Sequence, residues 1–525
     1  MTSLSGDTSP INPISGATSD QPRPQEEKPG RDLLRTERAQ LHSLWLVECF
    51  TPSTIGNLVR QQERWAARQA STMPALLYRP GSKKFIAEVR GEPPITVSRN
   101  LGPFVRNETY LEEFEFGAIT CALPQPVQYA IGRIETISSS LTILTVQFVL
   151  NRIASESLER VLDHKRHDAV TRYKTHRAVV LSHVVMADEV RQFTKKIRRE
   201  CESWMRKNLP GAFGANLLDG GDYPSCLFLT LDKGQPLNSS GILDDVQDRL
   251  EISYNDYAWE SLDIPGLRLK VTPPPNAEAE FDLHWLMAGK RTDVIPEKEW
   301  GERPISVGST TMFELSPSLG FALGVSGLVE GYSTFLARAK YRLDQSRGGI
   351  FHRDHRLGKL QFDLSLISKD VHPVLMDLGD FLRGPQAFGP NLPTRRMDFE
   401  AVPGSFIVPS DGLLEGLHVQ KLKWASRTSV WRVARRYLPA RFPDLHPKLM
   451  TSLIPRLSLS IRRLAAKELV VSRALETETN VLTAEVSIQS NNRLFWATLG
   501  LLLATIFLLI ISGAEIWITL NSLKA

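Results

Sequence analysis

Two histidines in a charged segment are the first residues whose spacing could support chemistry. The sequence FHRDHR occupies residues 351–356, and His352 and His355 lie three residues apart, so that on a helix they could share a metal ion. The letters HRD also open the catalytic loop of protein kinases, but Lys359 stands where that motif has asparagine. The kinase glycine-rich loop and DFG sequence are absent as well. We therefore interpret this segment as a solvated charged loop.

No other residue set predicts catalysis or metal binding. The four cysteines occur singly among apolar neighbours, which indicates buried free thiols. A second group of histidines lacks a carboxylate or cysteine to complete a ligand set, and no P-loop, HExxH or GxSxG motif occurs. We predict no catalytic residue, no cofactor and no metal site. The residues considered are Cys49, Cys121, Cys201, Cys226, His164, His167, His176 and His183.

Residues 417–438 carry the strongest basic pattern and are predicted to form an amphipathic helix. Such a helix could lie on an anionic membrane surface. A straight stalk would hold it tens of ångströms from the bilayer, however, beyond a Debye length of about 8 Å. We therefore prefer a core helix with a solvated basic face and keep membrane contact as the alternative. The possible basic surface consists of Lys421, Arg432, Arg435 and Arg436.

The composition limits the classes of partner. A net charge of +5 is small for 525 residues, and the basic residues are spread along the chain, so nucleic acid is not a predicted partner. With 42% hydrophobic and 23% charged residues, most of the chain is expected to fold in water.

The C-terminal stretch predicts a membrane-spanning helix over residues 494–520. Its first eighteen residues contain no charge and no proline. Trp496 and Trp517 are 21 residues apart, about 31 Å along a helix, as expected for aromatic belts at two interfaces. Arg493 precedes the span, and Glu515 lies close enough to its end to reach the far interface. The predicted membrane-interface residues are thus Arg493, Trp496, Glu515 and Trp517.

The flanking charges predict the orientation of this span. Six arginines and lysines lie between residues 456 and 493, and only Lys524 follows the span. Residues 1–30 lack the apolar core of a signal peptide. We expect a single-pass, tail-anchored membrane protein whose N-terminal bulk is cytoplasmic.

The stretch before the span predicts a stalk helix. Residues 456–493 contain no proline or glycine and would extend about 55 Å as a continuous helix. An apolar heptad-like spacing is interrupted by Glu468, Glu478 and Glu485, which predicts packing against neighbouring helices rather than a clean two-stranded coiled coil. The apolar positions are Leu457, Ile461, Leu464, Val471, Leu475 and Leu482.

A glycine-rich apolar segment needs a separate interpretation. Gly320, Gly324, Gly327 and Gly331 give two GxxxG spacings, typical of close helix packing in membranes. Because charges and a proline interrupt the apolar run, we interpret it as a closely packed soluble helix or a glycine-rich loop rather than as a second span.

Together these patterns predict a helix-rich α+β protein with an N-terminal α/β unit, a helical middle and a long C-terminal stalk helix that runs into one transmembrane helix. The predicted organisation is a disordered leader (1–40), a small α/β domain (41–150), long helices (151–210), a loop-rich β segment (211–315), a helical region (316–450), the stalk (451–493), the span (494–520) and a short exit tail (521–525).

This layout resembles that of CorA-type magnesium channels, in which a cytoplasmic α/β domain is followed by helices and a long helix that enters the membrane. The stretch TETNVLTAEVSIQ before the span is similar to the entry of that stalk into the membrane. The resemblance covers at most the last seventy residues. The Gly-Met-Asn loop and the second span of that family are absent here, so no transport residue is carried over.

The sequence therefore favours a membrane-tethered cytoplasmic interaction or scaffold protein that is not an enzyme. Its expected partners are the lipid bilayer and either a second copy of the chain or another protein. An oligomeric channel or ion transporter and an unrecognised membrane-anchored enzyme are the two alternatives.

Overall fold

The computed structural model describes residues 39–69, 97–106, 119–163, 169–172, 177–180, 182–215, 222–231, 258–261, 264, 267–271, 283–291, 315–348, 356–383, 399–401 and 448–522. Outside these ranges lie residues 1–38 of the predicted leader, the predicted basic helix at 417–438 and the FHRDH residues 351–355.

Strands and helices are mixed in one architecture, which confirms the α+β class. The helices are α1 (Ile55–Gln69), α2 (Arg152–Asp163), α3 (Ser182–Asn208), α4 (Ser316–Gly348), α5 (Arg356–Arg383) and α6 (Leu449–Ser522). The strands are β1 (Ala39–Phe50), β2 (Val97–Val105), β3 (Ile119–Thr120), β4 (Val127–Thr136), β5 (Thr142–Leu150), β6 (Ala169–Arg172), β7 (Arg177–Val180), β8 (Ser225–Leu231), β9 (Ala258–Ser261), β10 (Arg268–Lys270), β11 (His284–Lys290) and β12 (Phe399–Ala401).

One large sheet runs through the protein in the order β12-β9-β10-β11-β8-β1-β5-β4-β2-β3. The pairs β8–β11 and β2–β3 are parallel and the other neighbours are antiparallel. Strands from the segment predicted as loop-rich β therefore extend the same sheet that the N-terminal strands begin. A separate antiparallel pair, β6 with β7, lies within the segment predicted as long helices.

Helices cover both faces of the central strands. Every residue of β5 is buried, as expected for a strand that the sequence shows to be apolar on both faces. Phe148 packs against Trp204 of α3, with ring centroids 5.5 Å apart. Thr145 faces α4 instead, because residues an odd number of positions apart point to opposite sides of a strand.

The glycine-rich segment is the buried helix α4. A Cβ added at Gly320 would overlap Thr145 Oγ1, and one at Gly324 would lie 3.1 Å from Cys49 Sγ. The glycines thus allow the helix backbone to approach the sheet closely. The interpretation as a closely packed helix is confirmed, since most of the apolar part of α4 is buried.

The longest element is α6, whose 74 residues extend about 111 Å. It begins at Leu449, two residues before the predicted stalk segment (451–493) and seven before the proline-free stretch that starts at Arg456, and it includes Pro455 in its second turn. Pro455 cannot donate an N–H to the carbonyl of residue 451, and its ring crowds that carbonyl, but the helix continues through this position. The first part of α6 packs against α4 and α5, with Leu457, Ile461, Leu464, Val471 and Leu475 buried.

Candidate functional site

The last part of α6 carries the predicted membrane-interface residues. In the stretch from Leu494 to Ile518 nearly all the large apolar side chains are exposed, and none is buried. Trp496 and Trp517 are each 67% exposed, and both stand on the same uninterrupted helix as Arg493 and Glu515. Since α6 and α4 both have the length and hydropathy of a span, the difference in burial makes α6 the candidate.

A polar cluster lies where the stalk part of α6 meets α4 and α5. Glu468 of α6 is only 9% exposed and sits at a position of the otherwise apolar seam. It accepts a hydrogen bond from Ser368 Oγ, and its Oε2 is 3.6 Å from His372 Nδ1. Burial raises the pKa of Tyr332 of α4, and the nearby Glu468 carboxylate raises it further. Glu468 is recognisable from the sequence as a charge among apolar heptad-like positions, but its partners Ser368 and His372 lie on another helix and are not.

Two carboxylates of α5 hold the loops of the sheet. Asp370 accepts hydrogen bonds from Thr51 Oγ1, from the Ser53 amide (2.9 Å) and from Ser53 Oγ (2.9 Å), just before α1 begins. A negative charge is favourable at a helix N-terminus. Two turns further along α5, Asp377 accepts from Ser140 Oγ at 2.5 Å. Helix α5 is thus bonded to the sheet loops through these two residues and to the stalk through Ser368.

A buried glutamate at the end of β1 binds the loop after α3. Glu48 is fully buried, and its carboxylate accepts backbone N–H groups of Cys49 (2.9 Å), Phe213 (2.9 Å) and Gly214 (2.8 Å). Burial raises the pKa of Glu48 to about 7, although these hydrogen bonds oppose the shift. The charge inside the apolar run LWLVECF is the sequence signal for this site.

A Ser–His–Asp arrangement lies near this glutamate and bears on the enzyme alternative. Ser225 Oγ lies 2.9 Å from His284 Nδ1, and His284 Nε2 lies 3.8 Å from Asp222 Oδ2. Burial, and then the charge of Arg198, lowers the pKa of His284 to about 4, so the ring is neutral at pH 7. Ser225, however, is 2% exposed, and its hydroxyl could not meet a substrate without a rearrangement. The arrangement therefore favours a structural contact between β8 and β11.

The remaining residues considered from the sequence lie partly inside and partly outside the described ranges. Cys49, Cys201 and Cys226 are buried, as predicted, and Cys121 is half-buried. In the described ranges, no group of three or more His, Cys, Asp or Glu side chains could hold a metal ion. The possible basic surface, Lys421, Arg432, Arg435 and Arg436, lies outside the described residues, as do His352 and His355.

Helices α4 and α5 connect the sheet to α6, the helix that carries the exposed apolar end. The sheet loops bond to α5, α4 lies against the sheet through its glycines, and both helices pack on the stalk part of α6. No family model, no curated protein and no solved structure matches this chain.

Proposed function

We propose that this protein is a membrane-tethered cytoplasmic interaction protein, in which α6 anchors the α+β body directly to the bilayer. The observation that carries this proposal is the change of environment along one helix. Up to Leu475 one apolar face of α6 is buried against α4 and α5, whereas from Leu494 to Ile518 nearly all the large apolar side chains are exposed and none is buried. An exposed apolar surface of this length needs an apolar environment, and a bilayer core of about 30 Å matches it.

The charges near the candidate span support an orientation with the body in the cytoplasm. Arg493 precedes the apolar stretch, and Arg473, Arg463 and Arg462 lie further back on the exposed side of α6. Positive residues next to a span favour the cytoplasmic side. The helix contains no break between Leu449 and Ser522, so a movement of the body would be transmitted to the span.

Alkaline carbonate extraction of membranes tests the anchor. The full chain should stay in the membrane pellet, whereas a control variant that ends before Leu494 should be released to the supernatant. Release of the full chain would exclude the proposed anchor. Protease treatment of intact vesicles tests the orientation. The body should be digested in inside-out vesicles, which expose the cytoplasmic face, and should be protected in right-side-out vesicles.

An oligomeric channel is the second candidate, and Glu515 is the observation that favours it. This carboxylate lies on the exposed surface of the apolar stretch, where a charge is unfavourable unless it reaches an interface or lines a polar path. Ion flux into liposomes that contain the purified chain, and a change in that flux in Glu515→Gln, would support a channel. Absence of flux from the wild-type chain would argue strongly against it.

A further inference from the structure

A strict seven-residue repeat runs along the part of α6 that no other described element covers. Six large apolar residues follow one another at intervals of seven, and each is at least 56% exposed. They are Val481, Ile488, Phe495, Leu502, Leu509 and Ile516.

A second series with the same interval lies beside the first. Each of its members stands three residues after or four residues before a member of the first series, and all are small or polar and exposed. Between residues 494 and 520, every serine and threonine of the chain belongs to this series. The members are Thr477, Ala484, Asn491, Thr498, Thr505, Ser512 and Thr519.

The interval of seven has a physical meaning in a helix of this length. Alternating steps of three and four residues give an average period of 3.5, whereas a straight α-helix has 3.6 residues per turn. A series with the shorter period drifts around a straight helix by about 20° per heptad. It stays on one face only when the helix winds around a partner with a left-handed supercoil. We call this face, formed by the two series, the outer seam.

The outer seam is distinct from the face of α6 that packs inside the chain. The inner face uses Leu464, Glu468, Val471 and Leu475, and it meets α4 and α5. Val481 and Ile488 are 57% and 61% exposed, and they lie beyond the last buried residue of that inner face. The outer seam thus starts where the packing within the chain ends.

The composition of this stretch also indicates that it needs a partner. Between Thr477 and Asn492 most residues are threonine, serine, asparagine, valine or isoleucine, which are weaker helix formers than alanine or leucine. Most helical stability in proteins comes from tertiary packing of a face rather than from propensity. In the described part of the chain, that packing has ended at Leu475, yet the helix continues to Ser522.

We propose that the outer seam binds a second copy of this chain in parallel orientation, an inference that rests on the proposed membrane anchor. The seam continues without a break from the polar stretch before Arg493 into the apolar stretch after it. A partner that covers the whole seam must itself be a helix that enters the bilayer at the same level. A second copy meets this requirement, because its α6 is the same helix and would enter the bilayer at the same residue.

The chemistry along the seam agrees with a parallel pair of identical chains. Arg473 and Glu478 are five residues apart and flank the seam on opposite sides. In a parallel pair this spacing brings the arginine of one chain to the glutamate of the other. Inside the bilayer, small and hydroxyl-bearing residues at the seam allow helices to approach closely and to form hydrogen bonds between chains.

Cysteine crosslinking in native membranes tests the outer seam, with the full chain as the protein. Ile488→Cys places a thiol on the seam, and Val486→Cys is the matched control. The two residues are 61% and 58% exposed, but Val486 lies on the side of the helix away from the seam. Mild oxidation should convert Ile488→Cys to a species of about twice the 58.9 kDa chain mass. The crosslinked fraction should exceed that of Val486→Cys by about tenfold, because seam thiols are held at a high effective concentration.

Other outcomes separate the two proposals. Equal crosslinking of both variants, no crosslinking of either, or a product with a different protein would overturn the outer seam even if the chain stays in the carbonate pellet. Release of the chain by carbonate would instead overturn the membrane anchor. Val481→Cys provides a second seam position if Ile488→Cys does not accumulate, and the unmodified chain reports any contribution of its native cysteines.

Discussion

Substituting Gly320 by alanine tests the contact through which α4 joins the sheet to the stalk. The new Cβ would overlap Thr145 Oγ1 and would lie 3.3 Å from Thr145 Cβ and 3.6 Å from Ile143 Cγ2. Thr145 is fully buried on a central strand, so it has little freedom to move away. Helix α4 would have to retreat, and the next turn is also tightly packed, because a Cβ at Gly324 would lie 3.1 Å from Cys49 Sγ.

The expected loss follows from two opposing effects. Overpacking a well-packed core costs about 1 to 3 kcal/mol, and the severity of this overlap favours the upper end. Replacing a helical glycine by alanine contributes about 1 kcal/mol in the opposite direction. We therefore expect Gly320→Ala to lower the free energy of unfolding by about 2 kcal/mol. The measurement is urea unfolding of the purified full chain in nonionic detergent, followed by the fluorescence of buried tryptophans such as Trp45.

A control and a double mutant make this test specific. Gly56 is also helical, but a Cβ there meets nothing within 4 Å, so Gly56→Ala should be neutral or stabilising by up to about 1 kcal/mol. Thr145→Ala removes the overlapping hydroxyl and should restore part of the stability of Gly320→Ala. A Gly320→Ala chain as stable as Gly56→Ala, or an absence of coupling with Thr145→Ala, would refute the close packing of α4 on the sheet.

Three further predictions concern the buried carboxylates. Because the folded-state pKa of Glu48 is raised from 4.5 to about 7, its contribution to the free energy of unfolding is fully present below pH 4.5 and is lost as the pH rises to about 7. The loss amounts to about 3 kcal/mol, so the urea midpoint of Glu48→Gln should change less with pH than that of the wild type. Asp370→Ala should lower the free energy of unfolding by about 3 kcal/mol, since Ser53 loses two hydrogen bonds, and Asp370→Asn should lower it less. Equal thermal midpoints for Asp370→Ala and the wild type would contradict this prediction. Glu468→Ala should lower the free energy of unfolding by about 2 kcal/mol and increase the rate of amide hydrogen exchange in α6 near Leu464. Glu468→Gln can keep the hydrogen bond from Ser368 and should differ little from the wild type in both measurements.

The local patterns of the sequence predicted several elements of the fold. The glycine spacing at residues 320–331 indicated close packing of α4, and the heptad-like residues Leu457 to Leu475 indicated a helix that packs on neighbours. These inferences succeed because periodicity and burial are linked within a few turns of chain. The partners of the seam charge Glu468 and of Asp370 were not predictable in this way. Ser53 and Asp370 are separated by 317 residues, and only the fold brings them together.

The difference between α4 and α6 shows most clearly what each level determines. The sequence alone determined that residues 494–520 are long and apolar enough for a span and that the stalk runs into them without a break. It also contained a second apolar helix with membrane-like glycine spacing, and length and hydropathy do not separate the two. The tertiary structure separates them, because the glycines of α4 fit against Thr145 and Cys49 of the sheet, whereas no described element covers the apolar end of α6. Hydropathy measures what a segment is made of, and only the packed structure shows whether other parts of the chain already bury it.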